Sequence, residues 1–249
     1  MNPFKYEFVM ELFNFTFRDL MDLKRKIDDE WILLGNTGLV DFTLTESELK
    51  KRKHASEIFN KTCQLIIDHR ITKIYDFLEL IETIDKAQIL LDQLNIPVQQ
   101  LKEIVWKIED IKPYKKPLKS TIEPKNKLHQ DCLLKLKKLK ISNNLALLDS
   151  GRTRQKREQL SADSSISLDA LNELIHRADF VRGSHVSGRT INHFFKSGLN
   201  SVEKIQTTDM LKIIQELRKF EKATGTGRKD KTILSFVIYA KLTPKVYHN

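Results

Sequence analysis

Residues 63–80, CQLIIDHRITKIYDFLEL, decide how the whole chain is read. The first part spaces its apolar residues as a helix does. A turn falls at Arg70–Thr72, and a second short helix starts beside Thr72, a residue type that caps helices through its side-chain oxygen. The same order recurs at 132–149, CLLKLKKLKISNNLALLD, with its turn at Lys140–Ser142. It recurs again at 191–209, INHFFKSGLNSVEKIQTTD, with its turn at Gly198–Ser201. Three helix–turn–helix corners in one chain predict an all-α fold.

A longer relation encloses the first two corners. Slid along itself, the chain lays 71–111 on 141–181 without a gap. Ile71 meets Ile141, Leu78 meets Leu148, Lys86 meets Lys156, Ile96 meets Ile166, Leu101 meets Leu171 and Glu103 meets Glu173. Ile104, Val105 and Ile111 fall on Leu174, Ile175 and Val181. Identities are few, but the apolar positions agree, as they must if two copies of one unit bury the same face. This reading divides the chain into an N-terminal helical arm (1–50), a first helical unit (51–111), a Pro/Lys-rich linker, KPYKKPLKSTIEPKNK (112–127), and a second helical unit with a C-terminal helix (128–249).

Other helix signals fill the gaps between the corners. TESE at 45–48 has the form of a capping box. Asn95 followed by Pro97 reads as a helix start, and Ser167 opens a run with a period near 3.6. KTILSFVIYAKL (231–242) reads as a helix stopped before Pro244.

Composition narrows the functional classes. Hydrophobic residues make up 40% and charged residues 31% of the chain, with 8 Gly and 6 Pro, a globular and helix-rich balance. Cys63 and Cys132 have no metal-ligand spacing, and so few thiols suit a reducing compartment. The N-terminus is interrupted by Lys5, Glu7 and Glu11, so it lacks the apolar core of a signal peptide. No stretch reaches the roughly 18 uncharged apolar residues of a membrane span. A soluble protein is expected, in a bacterial cytoplasm or an organelle stroma; the abundance of Lys, Ile and Asn suits an AT-rich genome.

The net charge of +10 is concentrated. From Lys112 to Gln159 there are 14 Lys/Arg against 4 Asp/Glu, and the remainder of the chain is neutral. Such a block points to an anionic partner more strongly than a diffuse excess would. In KLHQDCLLKLKKLKI (127–141), Leu128, Cys132, Leu136 and Leu139 are expected to form a buried stripe. Lys127, Lys135 and Lys138 lie opposite it, and Arg152, Arg154, Lys156 and Arg157 follow. A charge run is ordinarily a solvated helix face, but here the compensating acids are missing. That favours a groove for nucleic-acid backbone or for an acidic protein surface. Only Tyr114 adds an aromatic, so stacking on single-stranded bases is not indicated.

Three stretches carry a family resemblance: LKKLKISNNLALLD, then LNELIHRADFVRGSHVSGRTINHFFKSGLNSVEKI, and the tail FVIYAKLTPKVY. Over about 128–249 the chain resembles a helix-hairpin-helix-like family, labelled as a domain of unknown function and frequent in cyanobacteria. A weaker copy covers about 58–111. The resemblance implies an all-helical, partly repetitive fold whose hairpins are similar to those of DNA-binding proteins. In such a hairpin the pattern hydrophobic–Pro–Gly–hydrophobic–Gly lets backbone amides approach a phosphate. Here the turn is Gly183–Gly188. Val186 takes the buried hydrophobic place, and Arg182 and Arg189 flank it. Ser184 stands where proline is expected and Ser187 where the second glycine is, with Gly188 one place late. A phosphate grip and a corner kept for packing are both open.

Enzymatic readings find little support. Glu173 and His176 form a Glu-x-x-His pair of the kind used in metal bundles, but it is single, with Glu103 and Trp106 at the matching places of the first unit. GTGRKD (225–230) is too short for a dinucleotide loop, and His185 and His193 lack ligand partners at useful spacing. No catalytic residue, metal or cofactor is expected. The arm, with Phe4, Phe8, Phe13 and Phe17, is either core or a docking helix, for another protein such as a larger complex or for a second copy of this chain. Two functions therefore stand: a nucleic-acid binder that does not read sequence, and an adaptor that docks through its repeats and its aromatic arm.

Overall fold

The computed structural model describes residues 15–35, 44–183, 186, 188–225, 227, 230–242 and 246. Among them are thirteen α-helices, one 3-10 turn and no strand, so the chain is all-α as expected. Residues 10–110 form one compact unit and residues 111–249 another.

In the first unit, α1 (Phe17–Gly35) packs on α2 (Glu46–Asp68). Thr45 caps α2 in a full capping box: its hydroxyl accepts the Glu48 amide at 3.2 Å, and the Glu48 carboxylate accepts the Thr45 amide at 2.8 Å. The two helices are also tied through Lys24, which pairs with Asp28 and donates to the Ser56 hydroxyl at 3.0 Å. Phe17 is fully buried edge-on against Phe77, ring centroids 5.3 Å apart. It is core, one of the two places the sequence left open for the arm. Phe4, Phe8 and Phe13 lie outside the described residues.

The repeat is visible in the helix boundaries. The first unit holds α3 (Ile74–Leu80), α4 (Ile84–Leu94) and α5 (Val98–Ile111). The second holds α7 (Asn144–Ser150), α8 (Arg154–Ser164) and α9 (Leu168–Val181), and both ends of each helix keep the register that sets Ile71 on Ile141. α6 (Lys127–Lys138) ends in that register too, with Lys138 on Asp68, the last residue of α2. The left-handed positions agree: Arg70 (φ 65°) with Lys140 (φ 62°), and Asn95 (φ 51°) with Ser165 (φ 53°). Asn95 therefore ends α4 instead of starting a helix. Asparagine tolerates the left-handed C-cap, and α5 begins after Pro97.

The third corner follows the same rule between α10 (Gly188–Lys196) and α11 (Val202–Thr207), with Gly198 at φ 84°. At all three corners the residue after the left-handed one donates to a carbonyl on the helix before it: Ile71 to Ile66, Ile141 to Leu136, Leu199 to Phe194. The acceptor residue is fully buried each time. Asn143 and Ser201 then cap the next helix through their side-chain oxygens. Lys73 takes that place in the first corner and gives no side-chain bond, so Thr72 is not the cap there. Leu136→Ala would hollow out such a corner and cost about 2–5 kcal/mol. α12 (Met210–Thr224) and α13 (Asp230–Leu242) complete the second unit, with Ile233, Leu234, Phe236, Val237 and Ile238 of α13 buried.

Each unit also has a lead-in segment against its first corner. Thr16 bridges Lys73, and Pro117 bridges Asn143. The hydrogen bonds match in type: Phe17 N–H to Thr72 and Ile74 N–H to Phe15 in one unit, Leu118 N–H to Ser142 and Asn144 N–H to Lys116 in the other. Segment 112–127 is thus not an open linker. Leu118, Thr121 and Ile122 are buried, and the 3-10 turn Leu118–Ser120 seats them. Its lysines and prolines hide an apolar pattern that lasts a single turn.

Candidate nucleic-acid interface

Lys116 holds the segment that follows α9. Its ammonium donates to the carbonyls of Gly183 (2.8 Å) and Val186 (3.0 Å), and the burial this requires lowers its pKa. Lys116 is fixed in turn by Asn144, a fully buried residue. The Asn144 side-chain oxygen accepts the Lys116 amide at 2.6 Å, and its side-chain amide donates to the Tyr114 carbonyl at 2.9 Å. Val186 is buried as expected. Gly183 is required by packing, because a Cβ there would sit 2.9 Å from Val186 and 3.0 Å from the Tyr239 ring. Ser184, His185 and Ser187 lie outside the described residues.

Arg182 is not on the flank of the expected turn. It is fully buried, its Nε donates to Asp179 at 2.5 Å, and its carbonyl accepts the Tyr114 amide at 2.8 Å. It closes α9 from inside and is unavailable to a phosphate. Arg189 is exposed in the first turn of α10, next to the half-exposed Gly188. First-turn amides have no acceptor within their own helix, so they are oriented for an anion.

α6 carries the lysine face. Its buried side is His129, Cys132, Leu133 and Leu136. Leu128 and Leu139, expected in the stripe, are 57% and 38% exposed: the stripe is one position off the expected register at its start. Lys127, Lys137, Lys138 and Lys140 are exposed and form no ion pair among the described residues. Lys135 is half-buried and donates to the Ser165 carbonyl at 2.6 Å, which caps the left-handed end of α8. Beyond α7, Arg152 is half-exposed, Arg154 pairs with Glu158 at 2.9 Å, and Lys156 donates to the Asp149 carbonyl at 3.3 Å. Arg157 is buried and donates to the Gly151 carbonyl at 3.2 Å. It anchors the α7–α8 turn and leaves the basic surface.

A polar cluster between α6, α9 and α10 was not legible as a site. His129 is buried; its Nδ1 accepts the Glu123 amide at 3.2 Å, so Nε2 carries the proton and faces Glu173 at 3.2 Å. Glu173 also accepts from Arg177 Nε at 2.8 Å. Arg177 continues to Asn192 at 2.7 Å and lies over the Phe195 ring at 4.2 Å. Hydrogen bonding to His129 and to Arg177 holds the Glu173 carboxyl down to about 2 despite its partial burial. Glu173 is therefore committed to His129 and Arg177. Burial lowers the pKa of His176. His193 is buried edge-on to Phe220, 3.4 Å from Glu221. Burial pushes the Cys63 thiol up to about 12, and that of Cys132 upward as well. No group of three or more His, Cys, Asp or Glu placed to hold a metal occurs among the described residues. No helix among them is long and apolar enough to cross a membrane.

Residues 126–241 match the family described as Domain of unknown function (DUF4332). The match runs from the cap of α6 into α13 and bears out the expected domain of unknown function over the second unit. Comparison with curated proteins and with solved structures gave no match.

Proposed function

We propose that this protein is a non-enzymatic, sequence-nonspecific nucleic-acid-binding protein, with the second unit holding phosphates through its basic face and its helix-hairpin-helix-like turns. One observation carries the reading. Residues 111–249 hold 28 Lys/Arg against 13 Asp/Glu, whereas 10–110 hold 14 against 19. Much of the excess is on the surface, at Lys127, Lys137, Lys138, Lys140, Arg154, Lys156 and Arg189, with Lys135 and Arg152 partly accessible. Arg157 and Arg182 take no part. The fold offers backbone amides at the start of α10 and flexible ammonium groups along α6, a combination that neutralises phosphates without reading base edges.

Binding to short duplex DNA and RNA, followed by fluorescence anisotropy across a salt series, tests this. On B-DNA the logarithm of affinity should fall linearly with log salt, by about 0.9 per phosphate contacted. Changing Lys127, Lys137, Lys138 and Lys140 to Glu should abolish binding on every sequence. Absence of measurable binding at low salt ends the proposal. An adaptor role is the second reading, and exposed apolar residues of the first unit favour it.

A further inference from the structure

Leu80, Ile84 and Ile89 of the first unit are 43%, 88% and 57% exposed. They sit on α3 and α4, where Leu80 and Ile89 join Asp76, Glu79, Lys86 and Gln93 in walling a cavity of about 540 Å³. The internal repeat supplies a control for whether the fold needs them. At the matching positions of the second unit, in helices with the same boundaries, stand Ser150, Arg154 and Gln159. The architecture closes with polar residues there, so the three apolar side chains are not demanded by packing.

The charge around them is also specific to this copy. Between 74 and 94 there are five carboxylates, Asp76, Glu79, Glu82, Asp85 and Asp92, against one cation, Lys86, which pairs with Glu82 at 3.3 Å. The matching stretch 144–164 has three carboxylates against four cations. Hydrogen bonding to Glu79, with the nearby carboxylates of Asp76 and Glu82, raises the pKa of Tyr75, which is what a negative surface does to a phenol. An acidic rim repels nucleic acid and anionic lipid alike. Two helices flanking a groove, with no strand among the described residues to extend, suit an apolar-faced helix laid between them.

We propose that the α3–α4 face of the first unit is a docking surface for a cationic amphipathic helix of another protein. Leu80, Ile84 and Ile89 take the partner's apolar anchors, and Asp76, Glu79 and Asp85 meet its lysines or arginines.

The test uses the full chain and a fluorescein-labelled amphipathic Leu/Lys peptide, with a Leu/Glu peptide of the same pattern as control. The Leu/Lys peptide should bind and the Leu/Glu peptide should not. The variant Leu80→Ser, Ile84→Arg, Ile89→Gln installs the residues that the second unit already folds with, and it should lose at least about tenfold in affinity while keeping its circular dichroism and its nucleic-acid binding. Three results would each overturn the proposal: no binding of the Leu/Lys peptide, binding unchanged in the triple variant, or equal binding of the Leu/Glu peptide. Self-association that the triple variant abolishes would assign the face to a second copy and overturn it as well.

Discussion

Lys116 reaches far along the chain to donate its ammonium to the Val186 carbonyl at 3.0 Å. The same ammonium holds the Gly183 carbonyl, so one side chain satisfies two acceptors. Lys116→Met keeps the aliphatic stem but leaves both carbonyls without that donor. It should cost about 1–3 kcal/mol in urea unfolding. A change under about 0.5 kcal/mol would show that the segment stands without the lysine.

Arg182 and Asp179 form a buried pair, so removing one partner strands the other. Arg182→Met should destabilise by about 3–5 kcal/mol, and the double change Arg182→Met, Asp179→Leu should recover most of it. The recovery separates a structural arginine from a phosphate-binding one: the double variant should bind duplex DNA as the native chain does.

Glu173 makes stability pH-dependent. Its carboxyl is held down to about 2 in the folded chain, well below the ordinary value of 4.5. The unfolded chain therefore takes up the proton first as pH falls. The stabilisation is complete above about pH 4.5 and disappears between there and about pH 2. Because the side chain is 40% exposed, solvent screens the pairs, and about 1 kcal/mol is expected. Thermal melts of the native chain and of Glu173→Gln should differ at pH 7 and converge by about pH 2. A constant difference across that range would contradict the assignment.

Gly151 closes α7 against α9. A Cβ there would lie 2.3 Å from the Ile175 side chain and 3.3 Å from the Leu147 carbonyl. Gly151→Ala should cost about 1–3 kcal/mol by overpacking, read as a lowered urea midpoint. Combining it with Ile175→Val should recover part of the loss, since Ile175 Cδ1 is the atom in the way.

The fold was legible because burial leaves a pattern that residue identity does not obscure. Ile66, Leu136 and Phe194 share no chemistry beyond being apolar, yet each seats its corner. The register of 71–111 on 141–181 could be read from such positions alone. The site was less legible because polar burial has no period. Arg157 and Arg182 look like surface cations in sequence, and only the acceptors at Gly151 and Asp179 show otherwise. Nothing in the sequence marked the Asn144 side chain as the clamp on Lys116. The prolines and lysines of 112–127 concealed how firmly Leu118 and Ile122 are seated.

The paired backbone hydrogen bonds that join each lead-in segment to its corner enclose very different lengths of chain. In the first unit they close the interval from Thr16 to Lys73. In the second they close the interval from Pro117 to Asn143, less than half as long. Loop-closure entropy grows only with the logarithm of length, so the longer excursion costs about 0.7 kcal/mol more. That is small beside what a single buried aromatic such as Phe17 contributes. A clasp made of main-chain atoms is also indifferent to which side chains lie between its ends. The interval between lead-in and corner is therefore where this architecture can accept or shed whole helices, as the presence of α1 in one copy and its absence from the other already records.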